Sequence, residues 1–165
     1  MSDLNKYERA YCSCEMCKTS CRSMPGSLAP GDLERIVEFS KPKDEVKFVE
    51  SHFQASEGTV AVTESGEDVI IPTIVPAQNE DGKCVFFTEE GKCSIHRVAP
   101  FGCRNFKTCV DEPEDEEKYL DQCNSILASD EYHRQWSRLR DAGALARPRE
   151  ERQKDYEKEI RKAME

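Results

Sequence analysis

The chain has 165 residues, of which 24 are Lys or Arg and 33 are Asp or Glu, giving a formal net charge of −9. It contains no run approaching the ~20 apolar residues that cross a bilayer, and an acidic chain repels phosphate backbones, so neither a membrane nor a nucleic-acid partner is expected. The N-terminus lacks an apolar segment that could form the core of a secretory signal, so we expect a cytoplasmic protein.

The apolar core of this chain is expected to be lean. Hydrophobic residues make up 37% of the sequence and charged residues 35%, and the mean hydropathy is −0.76. A chain of this length normally folds as one domain, but such a composition calls for an additional source of stability. The nine cysteines are the candidates. In a reducing compartment they favour metal ligation over disulfides, and their odd number weakens the disulfide alternative slightly.

Two short amphipathic helices are predicted after the first cysteines. In PGDLERIVEFSK, the Pro-Gly pair breaks the chain, Asp32 is a good N-cap, and apolar residues follow at helical spacing. Asp44 is expected to cap the next helix, which we predict to continue until Gly58 ends it.

The middle of the chain favours β-structure. The segments TVAVT and DVIIPTIV are rich in β-branched residues, and Ser65-Gly66 suits a turn between them, so a hairpin is predicted. Pro72 restricts the second strand to a sheet edge or splits it. A further hairpin is predicted where CVFF and CSIH flank the turn residues TEEGK.

The last third is predicted to be helical. Apolar residues recur every three or four positions from about Glu114 to Leu139, which indicates one amphipathic helix or two. Pro148 is predicted to begin a final charged helix. Its apolar stripe is narrow, which leaves three alternatives open: the helix packs on the protein's own body, it frays, or it docks a partner. We therefore predict a cysteine-cluster metal-binding domain over residues 1–140 and a charged helical extension over 141–165. The fold class is α+β: a small, mostly helical single domain with short β-hairpins, organised around a cysteine metal site.

The first cysteine run has metal-binding spacing. Thiolates bind zinc at ~2.3 Å in a tetrahedron, so their sulfurs must converge to about 3.8 Å, which a turn achieves with two residues between cysteines. Cys14 and Cys17 have that spacing, and Cys21 extends it to C-x2-C-x3-C. We expect these three thiolates on one short loop. Three close ligands with one distant partner also hold many iron-sulfur clusters.

The second run, Cys84, Cys93, Cys103 and Cys109, has the spacing C-x8-C-x9-C-x5-C. It contains no second C-x2-C pair, which disfavours a zinc ribbon with two knuckles. These thiols can still converge in space, so they either complete the first site or build a second one.

These residues resemble a known family. CEMCKTSC, then PGDLERI, then CVFFTEEGKCSIHRVAPFGCRNF are similar to the YkgJ-type bacterial cysteine-cluster proteins, described as candidate zinc- or iron-chelating domains. The resemblance covers roughly residues 12–109 and implies metal or iron-sulfur binding, without supplying a reaction. Two positions depart from the family pattern: Arg22 stands where the family has a cysteine, and Ala99 where it has an arginine. Cys12, Cys109 or Cys123 can substitute for the missing ligand.

The predicted site residues follow from the motif and the resemblance together. The predicted metal ligands are Cys14, Cys17, Cys21, Cys84, Cys93, Cys103 and Cys109. Arg22 and Arg104, each one residue after a cysteine, are predicted to contact the cofactor by donating hydrogen bonds or offsetting thiolate charge. Cys123 is expected to be a buried thiol on a helix. Cys12 is expected to flank the site, because it lies too close to Cys14 for both to bind one zinc comfortably.

For the cofactor we favour an iron-sulfur cluster, with zinc as the alternative, because three thiolates come from one segment and paired knuckles are lacking. The favoured function is redox or metal-assisted modification chemistry with a partner protein. The alternative is a structural zinc module that binds partners without catalysis. The sequence leaves open whether the protein is an enzyme, and it identifies no catalytic residue.

Overall fold

A computed structural model describes residues 3–62 and 65–165. That part of the chain forms seven α-helices and two β-strands: α1 (Glu15–Ser23), α2 (Asp32–Ser40), α3 (Glu45–His52), β1 (Phe53–Val62), β2 (Asp68–Pro76), α4 (Phe101–Arg104), α5 (Asp115–Leu127), α6 (Asp130–Asp141) and α7 (Arg149–Ala163). Short 3-10 turns lie at Leu4–Lys6 and His96–Val98. The predicted class, a small and mostly helical α+β domain, is confirmed.

The strands β1 and β2 form the predicted antiparallel hairpin, with register running from Phe53 opposite Pro76 to Val62 opposite Asp68. The predicted strand TVAVT ends in Thr63, which lies outside the described residues. Pro72 does not interrupt β2, because it lies opposite an irregularity of β1 where the register shifts between Ser56 and Thr59.

The prediction that α3 continues to Gly58 is wrong. The helix begins as expected at Asp44, whose side chain accepts the Lys47 N–H at 3.1 Å, but it ends at His52. From Phe53 onward the backbone pairs with β2 instead. Gly58 serves the bulge: its φ is +100°, and a Cβ there would overlap the carbonyl of Ile71. Tertiary pairing thus overrides a helical pattern of side chains.

The inner face of the hairpin packs on α5 and α6. Phe53, Ile71 and Ile74 are fully buried in one cluster with Ile126 and Leu139. The segment after α6 also joins β1, since the Ala55 N–H donates to the Ala144 carbonyl at 2.8 Å and the Ala55 carbonyl accepts from Ala146 at 3.0 Å. Of the two alternatives for residues 114–139, one helix or two, the structure has two, and both pack on the sheet.

The second predicted hairpin is reduced to a tight loop. Phe87 and Cys93 form an isolated antiparallel bridge, and the Ser94 N–H donates to the Phe86 carbonyl at 2.8 Å. The loop places Cys84 and Cys93 near its two ends.

The charged helix α7 lies against α1. The hydroxyls of Tyr156 and Ser20 are 2.8 Å apart, and the Glu159 carboxylate lies 4.0 Å from the Arg22 guanidinium. Of the alternatives left open for this helix, the structure has it packed on the protein's own body. Across residues 3–62 and 65–165, every helix is too short or too polar to span a bilayer.

The buried hydroxyl of Tyr132 links three elements. It donates to the Leu28 carbonyl at 2.7 Å and accepts from the Ile74 N–H at 2.8 Å. We predict that Tyr132→Phe lowers the free energy of unfolding by about 1–3 kcal/mol, because it leaves the buried Ile74 N–H without a partner and leaves the Leu28 carbonyl only the longer bond from Gln122, at 3.5 Å. Tyr11→Phe is the matched control, since Tyr11 is 64% exposed. Urea denaturation of both variants measures the difference, and equal midpoints would contradict the role of this hydroxyl.

Candidate metal centre

Four cysteines form a compact group, which we call the quartet: Cys12, Cys14, Cys17 and Cys109. Their sulfurs all lie within 4.8 Å of one another, and the sulfurs of Cys12 and Cys109 are 3.6 Å apart. Three members come from the start of the chain, and Cys109 comes from the segment after α4. The quartet thus joins two segments that are 97 residues apart in sequence.

The C-x2-C pair lies at the start of a helix, not on the short loop that we predicted. Cys14 is the N-cap of α1, and its sulfur accepts the Cys17 backbone N–H at 3.5 Å. Cys17 is in the first helical turn and is buried. Cys21 follows one turn later, about 6 Å farther along the helix axis at 1.5 Å per residue, and this rise takes it away from the quartet.

The electrostatics of the quartet are uneven. The Cys17 N–H, with a further contribution from the Cys12 side chain, lowers the pKa of Cys14 to about 7. Burial raises the pKa of Cys17, and hydrogen bonding to Cys12 and Cys17 raises the pKa of Cys109 to about 12. Cys14 therefore supplies a thiolate most readily near neutral pH. A bound cation would have to displace the protons of its neighbours.

From the sequence, Cys12 is expected to flank the site, although it is also one of the three cysteines that can replace the ligand missing at Arg22. It precedes α1 on a segment without regular structure, and Cys14 is extended, with φ −68° and ψ 163°. In extended backbone, residues two apart point to the same side, so the C-x-C spacing brings both sulfurs to one place. The C-x-C spacing is therefore compatible with a shared site when the backbone is extended.

The other four predicted ligands border a cavity of about 580 Å³, which Cys12 and Cys17 of the quartet also border. We call these four the cavity thiols: Cys21, Cys84, Cys93 and Cys103. Cys84 is tied to the end of α1, because its N–H donates to the Arg22 carbonyl at 2.7 Å. Cys103 lies on α4, and its sulfur accepts the Gly26 N–H at 3.1 Å. The seven predicted ligands therefore fall into two groups. Of the second cysteine run, Cys109 joins the first site, whereas the other three border the cavity.

The position of Cys103 depends on close backbone packing. Gly26 and Gly102 lie so close that a Cβ on either would overlap the backbone of the other, and the Gly102 N–H donates to the Ser27 carbonyl at 3.0 Å. Only glycine on both sides permits this approach.

The side chain of Asp32 also stabilises the packing of these two segments. Gly31, with φ +90°, is the N-cap of α2, so Asp32 is the first helical residue and not the predicted cap. Its carboxylate, 1% exposed, accepts the Ala29 N–H at 2.8 Å and the Phe101 N–H at 2.7 Å. It also pairs with Arg104 at 3.0 Å.

The two arginines predicted to contact the cofactor have different surroundings. Arg104 borders the cavity, but its guanidinium donates to Asp32 and, at 2.8 Å, to the Ala99 carbonyl. Arg22 lies over the ring of Phe87, 6.0 Å from its centroid, besides facing Glu159. Burial raises the pKa of Cys93, and the charge of Arg9, an arginine that the sequence analysis missed, offsets part of this effect.

Cys123 and His96 are not members of the quartet. Cys123 is 4% exposed and packs in the hydrophobic core, as predicted. His96 borders the cavity, with its ring edge-on to Tyr11 at 5.4 Å between centroids.

By fold and site, the chain is a small α+β cysteine-cluster domain of the metal-chelating class. It belongs to the CxxCxxCC family, described as "Putative zinc- or iron-chelating domain", whose model matches residues 13–125, more than half of the chain. This match confirms the cysteine-cluster resemblance. No curated protein and no solved structure matches the chain.

We predict that Asp32→Asn lowers the free energy of unfolding by roughly 3 kcal/mol, since removing one partner of a buried ion pair is costly. The partners of this carboxylate are all donors, so an amide nitrogen faces a donor in either orientation. Asp44→Asn is the matched control, because Asp44 is exposed and Asn caps a helix equally well. Urea denaturation measures both variants, and equal losses would refute the importance of the buried carboxylate.

Proposed function

We propose that this protein is a metalloprotein whose quartet binds one tetrahedrally coordinated ion. The observation that carries the proposal is the mutual approach of four sulfurs within 4.8 Å. Tetrahedral thiolate coordination at ~2.3 Å needs sulfurs about 3.8 Å apart, so small adjustments of side chains suffice. Zinc and single iron both suit four thiolates.

This geometry favours a structural role for the quartet's ion. Four thiolates fill all four positions of a tetrahedron, which is typical of structural sites and leaves no open position for a substrate. The ion would also close a long loop between the N-terminal segment and the segment after α4, in a chain with a lean core. The zinc module that we treated as the alternative is thus the better description of this site.

A second candidate function is redox or metal-assisted modification chemistry, at an iron-sulfur cluster and with a partner protein. The observation that favours it is the cavity beside the quartet, which is lined by thiols and by the basic residues Arg9, Lys18 and Lys92. A metal centre that borders such a cavity is accessible to reactants, and Cys12 and Cys17 of the quartet border it as well. A cytoplasmic location belongs to the same proposal, because a reducing compartment keeps all nine thiols free for metal.

For the organisation of the chain we keep residues 1–140 as the metal-binding domain and 141–165 as an extension. The packing of α7 on α1 supports a role for this extension in steadying the helix that carries Cys14, Cys17 and Cys21.

We expect metal removal to unfold the domain in large part. Structural metal in small thiolate sites contributes ~10 kcal/mol or more of apparent binding energy, which is comparable to the whole stability of a small domain. Circular dichroism and thermal melting of the purified protein, before and after treatment with a strong chelator, measure the effect. A stripped sample that keeps both its spectrum and its melting temperature would contradict a structural ion.

Loss of one quartet thiol should remove one bound ion. We predict that Cys109→Ala lowers the bound zinc or mononuclear iron by about one equivalent per chain, because three protein thiolates hold a tetrahedral ion more weakly than four. Cys123→Ala is the matched control, since that thiol lies in the core away from the quartet. Elemental analysis of the purified variants gives the result. Equal metal content in the two variants would contradict the assignment of Cys109 as a metal ligand.

A further inference from the structure

We propose that Cys12 and Cys109 form a site of reversible oxidation, at which a peroxide joins the two thiols in a disulfide. The inference goes beyond the proposed function, because the bond depends on the positions of the two sulfurs and not on a bound ion. The disulfide would connect the N-terminal segment to the segment after α4 without metal.

The structure already brings the two sulfurs close together. They are 3.6 Å apart, and a disulfide bond is about 2.05 Å long, so the sulfurs must approach by roughly 1.5 Å. Both residues lie outside the helices and strands. The approach therefore breaks no hydrogen bond of a helix or of the sheet.

The other members of the quartet are less suited to this reaction. Cys17 is buried in the first turn of α1, which limits the access of a peroxide to its sulfur. Cys14 is exposed, but its sulfur caps α1 by accepting the Cys17 N–H, and a disulfide would compete with this cap. Cys109 is exposed and Cys12 is half-buried, and neither caps a helix. Oxidation is therefore directed to Cys12 and Cys109.

The proposed bond has a favourable place in the chain. The two cysteines are 97 residues apart in a chain of 165. A cross-link that closes a long loop removes more conformational freedom from the unfolded chain than one that closes a short loop. A disulfide between Cys14 and Cys17 would close a loop within one helix and leave the two segments unconnected. The Cys12–Cys109 bond instead makes the same connection as the quartet's ion.

The reaction with hydrogen peroxide is balanced in two steps. The exposed Cys109 sulfur attacks the peroxide, so that an S–O bond forms, the O–O bond breaks, and a sulfenic acid and one water result. The Cys12 sulfur then attacks the Cys109 sulfur, forming the S–S bond and releasing the oxygen as a second water. Two electrons pass from the sulfurs to the peroxide, and the two thiol protons leave in the waters. Thiolates bound to an ion give the same products and take up two protons from solution.

The test treats the zinc-loaded full chain with hydrogen peroxide. Zinc is measured before treatment, and the zinc released is measured afterwards with a colorimetric chelator. Free thiols are then alkylated, the chain is digested with trypsin without reductant, and tandem mass spectrometry locates each disulfide. We expect residues 10–18 to be linked to residues 108–118 through Cys12 and Cys109, with release of about one zinc per chain. Dithiothreitol should separate the two fragments again.

Two variants check the assignment of the bond. Cys12→Ser should lower the yield of linked fragments at least tenfold, whereas Cys123→Ser, the matched control, should leave it unchanged. Because the bond is located directly in the wild-type protein, the result does not depend on the folding of the Cys12→Ser variant. A second measurement compares metal-free samples, of which the oxidised one should melt at a higher temperature than the reduced one.

The inference is overturned if the treated wild-type protein contains no Cys12–Cys109 disulfide, or if peroxide yields chiefly a disulfide between Cys14 and Cys17. Equal melting temperatures of the oxidised and reduced metal-free samples would overturn the role of the bond as a connection. Failure of the proposed quartet ion gives a different result, in which the chain holds no zinc before treatment but still forms the Cys12–Cys109 disulfide.

Discussion

The buried carboxylate of Asp32 holds together the segments on which the cysteine arrangement depends. It binds the Ala29 and Phe101 backbone N–H groups and the Arg104 guanidinium, while its own side chain is 1% exposed. A carboxylate buried in this way requires donors on every side, because desolvation without partners costs several kcal/mol. The short segments around Gly26 and Gly102 are consequently held face to face, and Cys103 is presented beside them. Asp32 contacts no cysteine sulfur in these interactions, so its influence on the thiols is through backbone position.

Helix α1 is the common wall of the two thiol groups. Its N-cap and first turn carry Cys14 and Cys17 of the quartet, and the next turn carries Cys21 of the cavity thiols. The helix rise separates Cys21 from Cys17 by about one turn, so that neighbouring cysteines of one helix belong to different groups. The start of the helix has a second effect, since the Cys17 N–H stabilises the Cys14 thiolate. Packing of α7 against α1 through Tyr156 adds support on the outer side.

The apolar core covers only part of this fold, which explains why a bound metal ion would stabilise it. One apolar cluster lies between the hairpin and helices α2, α5 and α6, whereas the N-terminal segment and the residues around Cys109 lie outside it. Cys12 and Cys109 do not belong to this cluster, and the ion that we propose for the quartet would supply a connection between them. A chain with 37% hydrophobic residues can thus keep its termini and loops ordered without a larger core.

The sequence by itself determined the local structure and the chemistry available. The N-cap at Asp44, the alternation of the hairpin strands and the apolar spacing of α5 and α6 depend on neighbours within a few residues, and cysteine spacing identified a metal-chelating domain. Tertiary structure alone decided where α3 gives way to β1, because only pairing with β2 makes Phe53 a strand residue. It also decided how the thiols are grouped. Spacing along the chain cannot show that Cys109 returns to Cys12, nor that a helical turn separates Cys21 from Cys17, because both depend on long-range packing and on the backbone conformation that this packing selects.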